Sequence, residues 1–154
     1  MSTQLTVASP TTLVLRRTFD APADRVFSAW LNPDVMREFM VPEGCKLIDL
    51  AADPRVGGSY RITFDTPNGV MTVNGIYREI VRPQRIVCTW TWEEDTKAEE
   101  HETMLTLEFN DLGAKTELVL THANLRNEES REGHTGGWKS IYDNLALVLE
   151  RGAA

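Results

Sequence analysis

Cysteine is scarce in this chain. Cys45 and Cys88 are the whole supply, and neither stands in a CxxC pair or beside a histidine. Two buried free thiols in a cytosolic protein are the expectation. Histidine is nearly as rare, and the positions of His101, His122 and His134 match no zinc pattern. No Lys/Arg cluster appears, and the net charge is -7. A surface that tracks nucleic-acid phosphates is therefore not expected. Long apolar runs are missing too. The longest late aliphatic stretch, Leu145 to Leu149, has five residues, against roughly 18 for a membrane span. The opening segment MSTQLTVASP has neither a basic n-region nor an apolar h-region, so no signal peptide is expected and the cytoplasm is the expected location. There is no GxSxG elbow, HExxH pair, Walker loop or Rossmann glycine pattern.

What is present suits a globular domain. The 154 residues are 42% hydrophobic and 25% charged, enough to build a core without a disulfide or a metal. No repeat or linker divides the chain. Residues 1–12 read as a loose N-terminal tail, and residues 13–154 as a single domain. Charge is concentrated at 93–102, where six acids and one Lys give -5. Such a run is usually a solvated loop, or else a dock for a basic partner.

Period-two alternation marks the strands. Leu13, Leu15 and Phe19 share a parity, as do Tyr60, Ile62 and Phe64, then Ile86, Cys88, Trp90 and Trp92, then Leu105, Leu107 and Phe109, then Leu118, Leu120 and His122. Two further strands are expected at Cys45–Asp53 and Val70–Val81, with Gly75 marking a bulge or bend. Gly57-Gly58 and Pro67-Asn68-Gly69 read as turns that need positive φ. Two short helices follow the first strand. Asp20 is expected to cap the first and Asn32 the second, at Asp34–Met40. Trp138, Ile141, Leu145 and Val148 form the stripe of a long last helix, from about Trp138 to Arg151. The polar segment 127–133 reads as a short solvated helix or a lid that Gly133, Gly136 and Gly137 would let move, or else as a plain surface connection. The class is α+β, with a curled antiparallel sheet of about seven strands gripping the final helix.

These residues resemble a known group. Four segments carry the likeness: Phe19-Asp20-Ala21-Pro22 with Val26, Phe27, Ala29 and Trp30; Asp53-Pro54-Arg55-Val56-Gly57-Gly58; Gly75-Ile76-Tyr77-Arg78 through Trp90; and His134-Thr135-Gly136-Gly137-Trp138. Together they resemble the START-like, birch-pollen-allergen superfamily, also called SRPBCC, whose architecture is the helix-grip fold. Within it they are similar to the C-terminal domain of the activator of the heat-shock-protein-90 ATPase. The likeness covers roughly residues 13–150. Phe39 stands where that group often has Trp. The length leaves no room for the activator's separate chaperone-binding domain, so chaperone activation is not carried over.

The resemblance implies a cavity between sheet and long helix. Trp30, Phe39, Tyr60, Phe64, Tyr77, Trp90, Trp92, His122, Trp138 and Tyr142 are the expected ligand-binding residues, each also readable as ordinary core. The leading expectation is a binding protein for a small hydrophobic or amphipathic molecule, without cofactor or metal. One alternative is a cyclase, lyase or hydrolase in the same cavity, with Asp49, Glu79 and His122 as acid/base candidates. Another is a chaperone-associated interaction module. A homodimer would suit exposed strand edges under any of these readings.

Overall fold

The structure, a computed structural model, describes residues 3–93 and 101–151. In chain order the elements are β1 (Gln4–Ser9), β2 (Thr12–Phe19), α1 (Ala23–Ala29), α2 (Pro33–Phe39), β3 (Lys46–Ala52), β4 (Ser59–Thr66), β5 (Gly69–Val81), β6 (Arg85–Trp92), β7 (Thr103–Asp111), β8 (Thr116–Ala123) and α3 (Glu128–Arg151). All eight strands join one antiparallel sheet in the order β1-β2-β8-β7-β6-β5-β4-β3. Only the β2–β8 contact joins strands far apart in sequence, because α1 to β7 lie between them. This is the helix-grip arrangement.

The alternating sequence puts one apolar set on one face. Leu13, Leu15, Ile62, Leu107, Leu118 and Leu120 are all buried, and α3 lays Trp138, Ile141, Tyr142, Leu145, Val148 and Leu149 against them. Each such side chain is worth about 1.5–3 kcal/mol when fully buried. Tyr142 Oη donates to the carbonyls of Leu15 and Leu118, at 3.1 and 3.3 Å. That bond fixes α3 across β2 and β8. The short helices close one end. Phe27 of α1 meets Phe109 of β7 edge-on at 5.2 Å, and Asn144 Nδ2 of α3 donates to the Val41 carbonyl just past α2 at 2.8 Å.

Several expectations need correction. Residues 4–9 are no loose tail: they pair with β2, from Gln4↔Arg16 to Ser9↔Thr12, because β2 would otherwise leave a row of unpaired backbone groups. Asp20 does not cap α1. Pro22 occupies that position and makes no side-chain cap bond. Asn32 does cap α2, accepting from Asp34 N at 3.1 Å. In the β4–β5 turn only Gly69, with φ 110°, is left-handed. The register shift in β5 lies between Tyr77 and Glu79, while Gly75 serves another purpose. A Cβ on Gly75 would lie 2.0 Å from the Thr89 carbonyl oxygen and 2.4 Å from the Tyr60 ring. Glycine lets Tyr60 Oη reach and donate to that same carbonyl. Of the readings of the polar segment, the helical one holds: residues 128–133 open α3, which begins at Glu128 rather than near Trp138 and runs unbroken through its three glycines. Among the described residues, no helix is long and apolar enough to cross a membrane.

Candidate functional site

A cavity of about 910 Å³ opens between the β4–β6 strands and the N-terminal half of α3. The sheet contributes Phe64, Met71, Trp90 and Trp92; α3 contributes His134, Trp138 and Ile141; Pro42 and Cys45 come from the loop after α2. Part of the helical wall is bare. Gly133, Gly136 and Gly137 face the space at i, i+3 and i+4. A Cβ on Gly133 or Gly136 would meet nothing within 4 Å. Larger side chains at these positions would narrow that side of the space.

Two tryptophan–histidine pairs frame it. Trp138 Nε1 donates to His122 Nδ1 at 3.0 Å, so that nitrogen carries no proton. Nε2–H then points to Thr103 Oγ1, 2.7 Å away. The threonine hydroxyl in turn donates to the Trp90 carbonyl at 2.6 Å. The second pair mirrors the first. Trp92 Nε1 donates to His134 Nε2 at 2.9 Å, and His134 Nδ1–H donates one helical turn back to the Ser130 carbonyl at 2.7 Å. The two imidazoles meet edge-on, 4.9 Å between centroids. Burial lowers the pKa of His122 well below the ordinary histidine value, and the neighbouring His134 adds to the effect. Burial lowers that of His134 too, against a raising contribution from the Ser130 carbonyl. Both rings are neutral, and each has its proton and its lone pair engaged. Neither offers a general base to a substrate.

The ten expected ligand residues divide by depth. Phe64, Trp90, Trp92 and Trp138 come together on the open cavity. Trp30, Tyr60 and Tyr77 lie deeper, around an inner void of about 30 Å³ that Trp90 also borders. Phe39 and Tyr142 are fully buried and border neither space. His122 stands behind Trp138 and orients its indole. Two of the acid/base candidates are elsewhere: Asp49 is exposed on β3, and Glu79 faces Arg85 at 3.3 Å. The sequence reading missed Pro42, Cys45 and Met71. Pro42 and Cys45 belong to an irregular loop, where neither period two nor period 3.6 gives a direction.

The remaining polar groups show no catalytic set. Burial and nearby Asp65 raise the Cys45 thiol pKa, and burial pushes Cys88 up to about 12 despite its contact with Tyr60. Both stay protonated near neutral pH. His101 is half-buried. Glu93 at the start of the acidic run is held below its ordinary pKa by hydrogen bonds from Arg61 and Asn74; residues 94–100 of that run lie outside the described residues. Among the described residues no cluster of His, Cys, Asp or Glu could hold a metal ion. Two tryptophans contrast with the framed pair. Nε1 of Trp30 and of Trp90 is buried with no acceptor, a state costing about 1–3 kcal/mol for each group.

A curled antiparallel sheet gripping one long helix, with a cavity held open beside it, defines a START-like domain. More narrowly, the chain belongs to the family described as activator of Hsp90 ATPase homolog 1-like protein, whose model matches residues 20–150. Among solved structures, a Chromobacterium violaceum protein is similar at 26% identity and a TM-score of 0.80, over 92% of this chain and 99% of its own. A putative uncharacterized protein from Rhizobium leguminosarum is 26% identical with a TM-score of 0.78, over 97% of each chain. The AHSA1 protein of Silicibacter pomeroyi is 25% identical with a TM-score of 0.79, over 92% of this chain and 99% of its own. No functionally curated protein matches the chain.

Proposed function

We propose that this protein binds a small hydrophobic or amphipathic molecule in the cavity between sheet and α3. One observation carries the reading: the hollow is about 910 Å³, and three of the α3 residues that line it are glycines. That volume lies in the range of small-molecule sites, and the walls are mainly apolar with a few polar groups at the edge, as such sites require. Alanines at the three glycine positions would strengthen the helix by about 0.8–1.0 kcal/mol each. Keeping glycine there favours space over stability. Burial of the ligand at about 25 cal/mol per Å² supplies the affinity.

Native mass spectrometry of the protein as purified from cells tests this directly, with a co-purifying molecule of a few hundred daltons as the expected result. Titration with a fluorescent hydrophobic dye is the companion measurement. The wild type should bind one dye, and Gly136→Leu should weaken it by about tenfold or more, since a leucine there occupies the hollow. Equal dye binding by the two proteins would refute the cavity as the site.

A further inference from the structure

Charge is unevenly spread around the open cavity. Its deep wall is apolar: Phe64, Trp90 and Trp138 are 2%, 4% and 2% exposed. The exposed lining residues Glu43, Pro67 and Asn68 mark its mouth. Among the described residues no lysine or arginine lines the space, and Glu43 is the one acid that does. No hydrogen bond or ion pair among the described residues engages its carboxylate. The ring N–H groups that could receive an anion are committed or covered. Trp92 donates to His134, Trp138 to His122, and His134 to the Ser130 carbonyl, while Trp90 Nε1 is buried. Asn68 adds only a neutral amide.

A second carboxylate acts on the same wall. Asp65 lies between the lining residues Phe64 and Thr66 in β4. With burial, its charge raises the pKa of the Cys45 thiol, which also lines the space. Lys46 and Lys139 are exposed neighbours of lining residues, but neither lines the cavity itself. The whole chain carries -7. A carboxylate or phosphate head would therefore enter against a negative field and find no counter-charge, and an unpaired charge is costly to bury. A cationic head meets the opposite. Glu43 stands at the mouth, and Phe64, Trp90 and Trp92 supply aromatic rings deeper in. Trp90 and Trp92 are edge-to-face at 86° and 5.7 Å, with Phe64 6.1 Å from Trp92, so the rings make a corner rather than one flat wall. A cation within about 6 Å of an aromatic face is attracted by the ring quadrupole.

Resting on the binding role above, we propose that the ligand is an amphiphile with a positively charged nitrogen at one end of an apolar body. The body lies against the apolar deep wall and the glycine side of α3. The nitrogen stays at the mouth beside Glu43, with the aromatic corner on its inner side. Fatty acids, phosphates and sulfates built on the same apolar body are selected against by charge.

Three probes of equal chain length separate the alternatives: octyltrimethylammonium, octanoate and 1-octanol, each at neutral pH and below the concentration at which micelles form. Each competes with Nile red, a neutral dye, in low and in high salt. The cation should bind about tenfold more tightly than octanoate in low salt, and the ratio should shrink in high salt as the charges are screened. Glu43→Gln should weaken the cation by about two- to fivefold, the share of one exposed ion pair, and leave octanol within about twofold. Glu43→Lys should bring the cation and octanoate to about equal affinity, or reverse their order. Glu43 is exposed, so both variants keep the fold. Octanoate binding as tightly as the cation to the wild type overturns the cationic class, and so does octanol binding more tightly than the cation. Either result leaves a hydrophobic ligand standing. Cation affinity unchanged in both Glu43 variants overturns the placing of the nitrogen at the mouth. Nile red bound but displaced by none of the three also overturns the cationic class, whereas no binding of Nile red removes the binding role itself.

Discussion

The two imidazoles are the residues whose chemistry is most constrained. Protonating His122 puts a second N–H against the Trp138 indole N–H, and protonating His134 does the same against Trp92. Both folded-state pKa values are lowered, chiefly by burial. The unfolded chain therefore binds more protons than the folded one between those lowered values and about pH 6.5, and stability rises with pH across that window. Unfolding by denaturant at a series of pH values should show stability falling as pH drops below about 6.5, by at most about 1.4 kcal/mol per pH unit for each histidine. A flat profile would mean that the rings are not held neutral. A second residue-scale outcome concerns Gly75. Gly75→Ala forces a methyl into the Thr89 carbonyl and the Tyr60 ring, and should cost more than about 2 kcal/mol in thermal unfolding, as overpacking does. Alternation along the strands and the helical stripe of α3 put Tyr60, Trp90 and Trp138 on the core side, where all three are buried. Neither period carries information on depth, and for that reason neither told that Phe39 and Tyr142 border neither space.

At the scale of the element, α3 is the instructive case. Its first two turns carry Gly133 and, a turn later, Gly136 and Gly137, each unfavourable in a helix by about 0.8–1.0 kcal/mol relative to Ala. Local propensity alone therefore put the start of the long helix near Trp138, with the polar segment before it as a separate short helix, lid or connection. Tertiary bonds outweigh it. Arg131, 9% exposed, donates to the Pro10 carbonyl at 3.3 Å and lies 3.7 Å from both Glu128 and Glu132. His134 is fastened to Trp92. Removing the glycine penalty should then show up as added stability. Gly136→Ala, with open space for its methyl, is expected to raise unfolding free energy by about 1 kcal/mol, read from chemical denaturation. A loss of stability would show that the position is not free. The strands were easier to read than this helix, since alternation survives wherever one face is buried. β1 was the exception. Its residues are exposed on both faces, so no apolar period marks it, and it exists through backbone pairing with β2.

For the whole molecule, the sheet is open and its two edges differ. β3 presents Lys46 and Asp49 and a register shift between Leu47 and Asp49, features that discourage edge-to-edge pairing. β1 has exposed Leu5 and Val7 and no charge. No residue of β1 lines the cavity. Removing residues 1–8 is expected to lower the melting temperature by no more than about 4 °C and to leave dye affinity within about twofold. Coupled loss of fold and binding in that truncation would mean that the edge strand supports the cavity at a distance. The architecture itself was legible because the order of strands and helices constrains how the layers stack. The size of the hollow was not, because it depends on which atoms are missing from one helix face.

That bare face has an evolutionary reading. A pocket bounded by backbone at three successive contact points can be recontoured by single codon changes, each adding a methyl or a branched group, while the β layer opposite stays as it is. Descendants of such a scaffold can shift their preferred cargo in small steps, and every step begins from a fold already sound without the added atoms.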